Sequence, residues 1–175
     1  MDDLTSRIRA GDRTAFRSLV CREQDRLVRV AMRTLGDRES ALDSAQEAFI
    51  RLWRARETLD PHLPVEAFLL RTLRNYCIDQ SRGSRPAPSA IREDEPSLEA
   101  LPEEISENRI LADAVREAVL CLPEQQRSVF ILNHYEGLSY AEVGRLLECP
   151  VGTVASRKQA AVFALRRKLA GWRDE

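Results

Sequence analysis

Several signatures are missing from this chain, and each absence narrows the field. The four cysteines, Cys21, Cys77, Cys121 and Cys149, are far apart and form no Cys-x-x-Cys pair. The two histidines, His62 and His134, stand alone, so no zinc-ligand spacing exists. The thiols are expected to be buried or half-buried in a reducing compartment. No apolar run reaches membrane length and no signal peptide is present, which points to a cytoplasmic chain without membrane insertion. Period-two alternation and β-branched runs are scarce, so the fold class is all-α.

A strong net charge is also lacking. The balance is −1 over 175 residues, which looks wrong for a nucleic-acid binder. Its distribution corrects that impression. Residues 1–85 are arginine-rich and basic. Glu93, Asp94, Glu95, Glu99, Glu103, Glu104 and Glu107 then crowd a short stretch opposed only by Arg92. Arg166, Arg167 and Lys168 cluster near the end. The average hides a basic front and an acidic connector.

The connector is marked by Gly83-Ser-Arg-Pro-Ala-Pro-Ser89 and by the absence of a periodic apolar face as far as Pro102. It separates two small helical domains. In the first, Asp12 caps a long helix bearing Phe16, Leu19, Val20, Leu27, Val30 and Ala31, which Gly36-Asp37 ends. A second helix runs over about 38–56 and a third over about 65–82, with residues 58–64 as the loop between them. In the second domain helices are predicted over about 107–121, over about 123–135, and in a final pair.

That pair is the most informative segment. Ser139 followed by Glu142 is a capping box. Ala141, Val143, Leu146 and Leu147 supply an apolar face. Glu148-Cys149 makes a tight turn, and Pro150 suits the first position of the next helix, where its missing N–H costs nothing. Thr153, Ser156 and Arg157 then follow within about one turn of each other. This is the pattern of a DNA-binding helix-turn-helix; the alternative is an ordinary helical hairpin in an all-α core.

Taken together, the chain resembles the extracytoplasmic-function (group 4) sigma factors of bacterial RNA polymerase. The front domain carries Ala10-Gly-Asp-Arg-Thr-Ala-Phe16, Asp43-Ser-Ala-Gln-Glu-Ala-Phe-Ile-Arg-Leu-Trp53 and Phe68-Leu-Leu-Arg-Thr-Leu-Arg-Asn-Tyr-Cys-Ile-Asp79. The back domain carries Leu122-Pro-Glu-Gln-Gln-Arg127, Tyr135-Glu-Gly-Leu-Ser-Tyr140, Cys149-Pro-Val-Gly-Thr-Val154 and Ser156-Arg157.

The resemblance implies a division of labour. Residues 1–85 would be region 2, which binds the clamp helices of the largest polymerase subunit and opens the −10 element. Residues 86–106 would be a flexible acidic linker toward the RNA exit path. Residues 107–175 would be region 4, which binds the flap of the second-largest subunit and reads the −35 element. It implies no catalytic residue and no cofactor, and it admits an anti-sigma factor among the partners.

Asp43, Gln46, Glu47 and Ile50 match the polymerase-binding helix and share one helical face; Phe49, Leu52 and Trp53 favour another, with Trp53 divided between core and contact. Asn75 matches the position that receives a flipped −10 base, since an amide both donates to and accepts from a base edge. Arg71 and Arg74 are placed to hold phosphates. In the helix-turn-helix, the family's cations are replaced by Ala155 and Ala160, and a lysine stands at Lys158 where the family has an apolar residue. Thr153, Ser156, Arg157 and Lys158 remain as the DNA-binding set, with weaker −35 recognition expected. Ser40 and Leu42 stand where the family is acidic. Phosphorylation of Ser40 or Ser44 would restore that charge; the plain alternative is a capping or surface serine. Two other functions compete: a helix-turn-helix regulator that is not a sigma factor, and a sigma mimic that only docks.

Overall fold

The computed structural model describes residues 3–61, 63–83 and 102–172, and within them every regular element is helical. They form two compact units. Most of the sequence-predicted linker, and His62, lie outside the described residues.

The first unit opens with a short helix that the sequence pattern did not reveal, α1 (Asp3–Arg9). Gly11, at φ 83°, turns the chain into α2 (Arg13–Leu35). Asp12 caps it as expected, accepting from the Thr14 and Ala15 N–H groups at 2.9 and 3.0 Å. Its other oxygen takes the Arg7 guanidinium at 2.7 Å, so one carboxylate ties α1 to α2. These bonds, with that to Ala15 first, hold the Asp12 carboxyl below its ordinary range. Gly36 closes α2 in the left-handed conformation, donating to the Met32 carbonyl at 2.8 Å. Asp37 then caps α3 (Arg38–Ala55) by accepting from the Ser40 N–H. A 3-10 turn (Arg56–Thr58) and a short loop lead to α4 (Val65–Gly83).

Small residues let these helices approach closely. Ala41, Ser44, Ala45 and Ala48 are all buried on one face of α3, beside Phe49 and Leu52. Leu19, Leu27, Val30 and Ala31 of α2 and Leu69, Leu70, Leu73 and Cys77 of α4 complete the core, and Ile8 of α1 plugs into it. Burial pushes the Cys77 thiol up to about 11. Cys21 and Cys121 depart from the expectation of buried thiols, since both are exposed.

The second unit holds α5 (Pro102–Leu120), α6 (Glu124–Phe130), α7 (Tyr140–Leu147) and α8 (Val151–Trp172). The first of these begins at Pro102 rather than near 107, so the last residues assigned to the linker are helical. α6 widens into one π-helical turn (Ile131–Tyr135), where the Glu136 N–H reaches the Ile131 carbonyl at 3.2 Å. In an α-helix, residues five apart diverge by about 140°. The wider turn brings both His134 and Tyr135 against the Phe130 ring, at 4.9 and 5.8 Å.

Candidate polymerase and promoter interfaces

On α3 the burial pattern separates the two predicted faces. Asp43, Gln46 and Ile50 are exposed, whereas Ser44, Ala45, Ala48, Phe49 and Leu52 are buried. Leu42 joins the outward face at 38% exposure, close to Ile50 at 43%. The result is a strip with one acid, one amide and two unburied aliphatic side chains. Glu47 lies at its edge, half-buried and paired with Arg51 at 2.7 Å. Trp53 is not part of the strip. Its ring packs on Phe16 at 4.8 Å and beneath the Arg56 guanidinium at 4.9 Å, so half of it serves the fold.

The serine expectation needs one correction. Ser44 is fully buried, and its hydroxyl donates to the Ser40 carbonyl at 2.6 Å. A phosphate there would have to displace the α3 core. Ser40 is half-buried in the first turn, where its N–H donates to the Asp37 cap at 2.8 Å.

On α4, Arg71 and Asn75 are exposed and Arg74 is half-buried. Arg74 Nη1 donates to Asn75 Oδ1 at 3.0 Å. Asn75 lines an open cleft of about 460 Å³ with Phe68, Thr72, Arg51, Arg54 and Ala55. The arginines beside Asn75 therefore come from α3, not only from its own helix. Sequence spacing gave Arg51 and Arg54 no role; their one-turn separation was the only available signal. The Arg51 guanidinium is fixed by Glu47 and by the Tyr76 ring at 4.9 Å.

The helix-turn-helix forms as its local chemistry requires. Ser139 Oγ accepts from the Glu142 N–H at 3.3 Å, and the Glu142 carboxylate reaches back to the Ser139 N–H at 2.8 Å. The Ser139 hydroxyl is the main reason the Glu142 carboxyl lies below its ordinary range. Glu148 adopts φ 51° in the turn, and the Cys149 N–H donates to the Gly144 carbonyl at 3.0 Å. A Cβ at Gly144 would stand 2.9 Å from the Cys149 carbonyl oxygen, so only glycine fits there. Pro150 precedes α8 instead of opening it, and its carbonyl accepts the Val154 N–H.

The four residues assigned to the reading helix divide. Ser156 is exposed, with its hydroxyl on the Thr153 carbonyl at 3.0 Å, and Thr153 is half-buried. Arg157 is half-buried and leans back to Cys149 Sγ at 3.6 Å. Lys158 belongs elsewhere. Its ammonium lies 4.5 Å above the Phe130 ring, and burial lowers its pKa. The sequence assigned it to DNA; its ammonium stacks on the ring of α6. Ala160 is exposed at the position of a missing cation, and beyond it the outer face shows Phe163, 63% exposed, with Arg166 and Arg167.

Residues 19–86 match Sigma-70 region 2, and residues 112–165 match Sigma-70, region 4. The RNA polymerase sigma-H factor of Pseudomonas aeruginosa is 33% identical over 95% of this chain and 92% of its own length. The ECF RNA polymerase sigma factor SigW of Bacillus subtilis is 31% identical over 93% and 92%. The chain belongs to the extracytoplasmic-function sigma factors. The ECF RNA polymerase sigma-E factor of Escherichia coli is 34% identical over 95% of this sigma factor and 92% of its own length. The solved structure of CnrH with the cytosolic domain of CnrY superposes with a TM-score of 0.74, at 25% identity and 96% coverage of both chains. As a sigma factor, the protein binds core RNA polymerase and directs promoter-specific initiation on DNA. The readings as a separate regulator or as a mimic are not favoured. No helix among the described residues is long and apolar enough to cross a membrane.

Proposed function

We propose that the sigma factor grips core polymerase through the outward strip of α3: Asp43, Gln46 and Ile50, with Glu47 at the edge and Leu42 added. The observation that carries this is the separation of the strip from the core. Its aliphatic groups, Leu42 and Ile50, stay in solvent although the buried Ala41 and Phe49 lie one residue away. Exposed aliphatic side chains beside an acid and an amide suit a docking surface better than a solvated helix face. Trp53 contributes by holding the α2–α3 packing.

In this reading residues 1–85 act on the −10 element. Asn75 meets an unstacked base, and Arg71 contacts phosphate. The second unit reads the −35 element through Thr153, Ser156 and Arg157 and meets the polymerase flap. With Ala155, Ala160 and the inward Lys158, the reading helix has few cations near its start, so −35 affinity is weak and the polymerase contact carries much of the total. The part is that of an initiation factor without a catalytic step, acting in the cytoplasm where the polymerase is. CnrH was solved bound to a cytosolic domain of CnrY; an anti-sigma partner for this chain would cover the same faces. Ser40 is the one serine of the pair where added charge fits.

Run-off transcription with core polymerase and a promoter library tests the reading. Initiation at a defined promoter set is expected; no promoter-specific product would refute it.

A further inference from the structure

Within the second unit α5 packs on α8, and where α5 ends a thiol and an amine stand together. Lys168 Nζ lies 2.7 Å from Cys121 Sγ, although the two residues are 47 positions apart in sequence. That is about 0.9 Å closer than the Arg157 guanidinium comes to Cys149 Sγ, at 3.6 Å. Both partners are exposed, so a small solute can reach either one. The choice of an amine is informative. Of the 27 lysine and arginine residues in the chain only two are lysine, Lys158 and Lys168. Arg166 and Arg167 directly precede Lys168, so a further guanidinium would have met a need for charge alone. An ammonium that gives up its proton becomes a nucleophile; a guanidinium does not lose its proton in proteins. A second cation is within electrostatic reach of the sulfur. Burial lowers the pKa of Arg127 on α6, and the charges of Glu124 and Cys121 oppose that shift.

We propose that Cys121 and Lys168 are the two ends of an oxidant-driven cross-link, a sulfenamide that ties α5 to α8. The co-reactant is a hydroperoxide. The Cys121 thiolate attacks a peroxide oxygen, so that an S–O bond forms and the O–O bond breaks. Sulfur is oxidised to the sulfenic acid, the peroxide is reduced, and the Lys168 ammonium gives its proton to the departing oxygen. The neutral amine then attacks the sulfenic sulfur. An S–N bond forms, the S–O bond breaks, and the hydroxyl leaves as water with a proton from the nitrogen. With hydrogen peroxide, one thiol, one amine and one peroxide give the sulfenamide and two waters. Two thiols of a small reductant reverse the step, restoring both side chains and leaving as a disulfide. The loop closed in this way contains α6, α7 and the whole helix-turn-helix. Closing it removes freedom from the unfolded chain and so stabilises that segment.

The test treats the full chain with hydrogen peroxide and follows its intact mass and its peptide map. Wild type is expected to become lighter by about 2 Da, the two hydrogen atoms lost in the cross-link. Its digest is expected to join the peptide of Cys121 to that of Lys168, and dithiothreitol is expected to separate them. Lys168→Arg keeps the charge and removes the amine. It is expected to stop at a sulfenic acid on Cys121, which dimedone captures, with no joined peptide. Cys121→Ser is expected to give neither product. The cross-linked wild type is expected to unfold at least about 5 °C above the reduced chain, a gain that oxidised Lys168→Arg should lack. A wild-type digest without the joined peptide overturns the proposal. So does a Cys121 sulfur joined to another cysteine in place of Lys168, within one chain or between two copies. An oxidised Lys168→Arg variant with the same thermal gain also overturns it, because the gain would then owe nothing to the amine.

Discussion

The Lys158 ammonium sits 4.5 Å above the centre of the Phe130 ring, which joins α8 to α6 inside the second unit. A lysine on a reading helix is ordinarily a phosphate contact; here its charge is spent on an aromatic face. Lys158→Met is therefore expected to leave −35 duplex affinity within about twofold of wild type. It should also keep the slope of log K against log salt, since a lost phosphate contact lowers that slope by about 1. Arg157→Ala is expected to reduce it by about that amount. Salt titrations of both variants make the comparison.

Gly144 and Gly152 give opposite expectations for the same change. Alanine at Gly144 forces the helix-turn-helix open against the Cys149 carbonyl and is expected to cost about 1–3 kcal/mol. Alanine at Gly152 meets nothing within 4 Å in a helical position and is expected to stabilise by up to about 1 kcal/mol. Thermal unfolding of the two variants should move Tm in opposite directions.

The capping carboxylates predict how acid acts on the fold. Glu142 has a pKa below the ordinary 4.5, held there by the Ser139 hydroxyl and N–H. A carboxylate whose folded pKa is depressed contributes stability above its unfolded pKa and loses it as pH falls through the folded value. The Tm gap between wild type and Glu142→Gln is therefore expected to be full at neutral pH and to shrink below about pH 4.5. Asp12 and Asp37 are lowered too and remain in both proteins, so the comparison isolates Glu142.

Ser44 and Ser40 should respond differently to aspartate. At Ser44, which is fully buried, a carboxylate would enter the α3 core, at an expected cost of at least about 2 kcal/mol. At Ser40 the charge falls in the first turn of a helix, where negative charge is tolerated, and Tm is expected to change little. Denaturant titration of each single variant checks this.

Local chemistry was the legible part of this fold. Asp12, Gly36, Ser139 and Glu142 announce helix ends because capping uses neighbours in sequence. Boundaries without such a signal moved: α1 is a seven-residue helix, and α5 starts at Pro102. The outward face of the candidate site was legible where one helix presents it, as with Asp43, Gln46 and Ile50. It was not legible where two helices meet. Arg51 and Arg54 reach Asn75 only through the packing of α3 on α4. The contact of Lys158 with Phe130 was not legible either, because a long aliphatic stem lets the ammonium serve either solvent or an aromatic ring.

The central claim is that the α3 strip docks on core polymerase, and Ile50→Glu tests it most directly. The side chain is already exposed, so the variant should fold with an unchanged Tm. Affinity of the full chain for core polymerase, measured by competition against labelled wild type, is expected to fall at least about tenfold, the scale of a central interface residue. Undiminished affinity in a variant that unfolds like wild type would contradict the assignment of this strip to the polymerase.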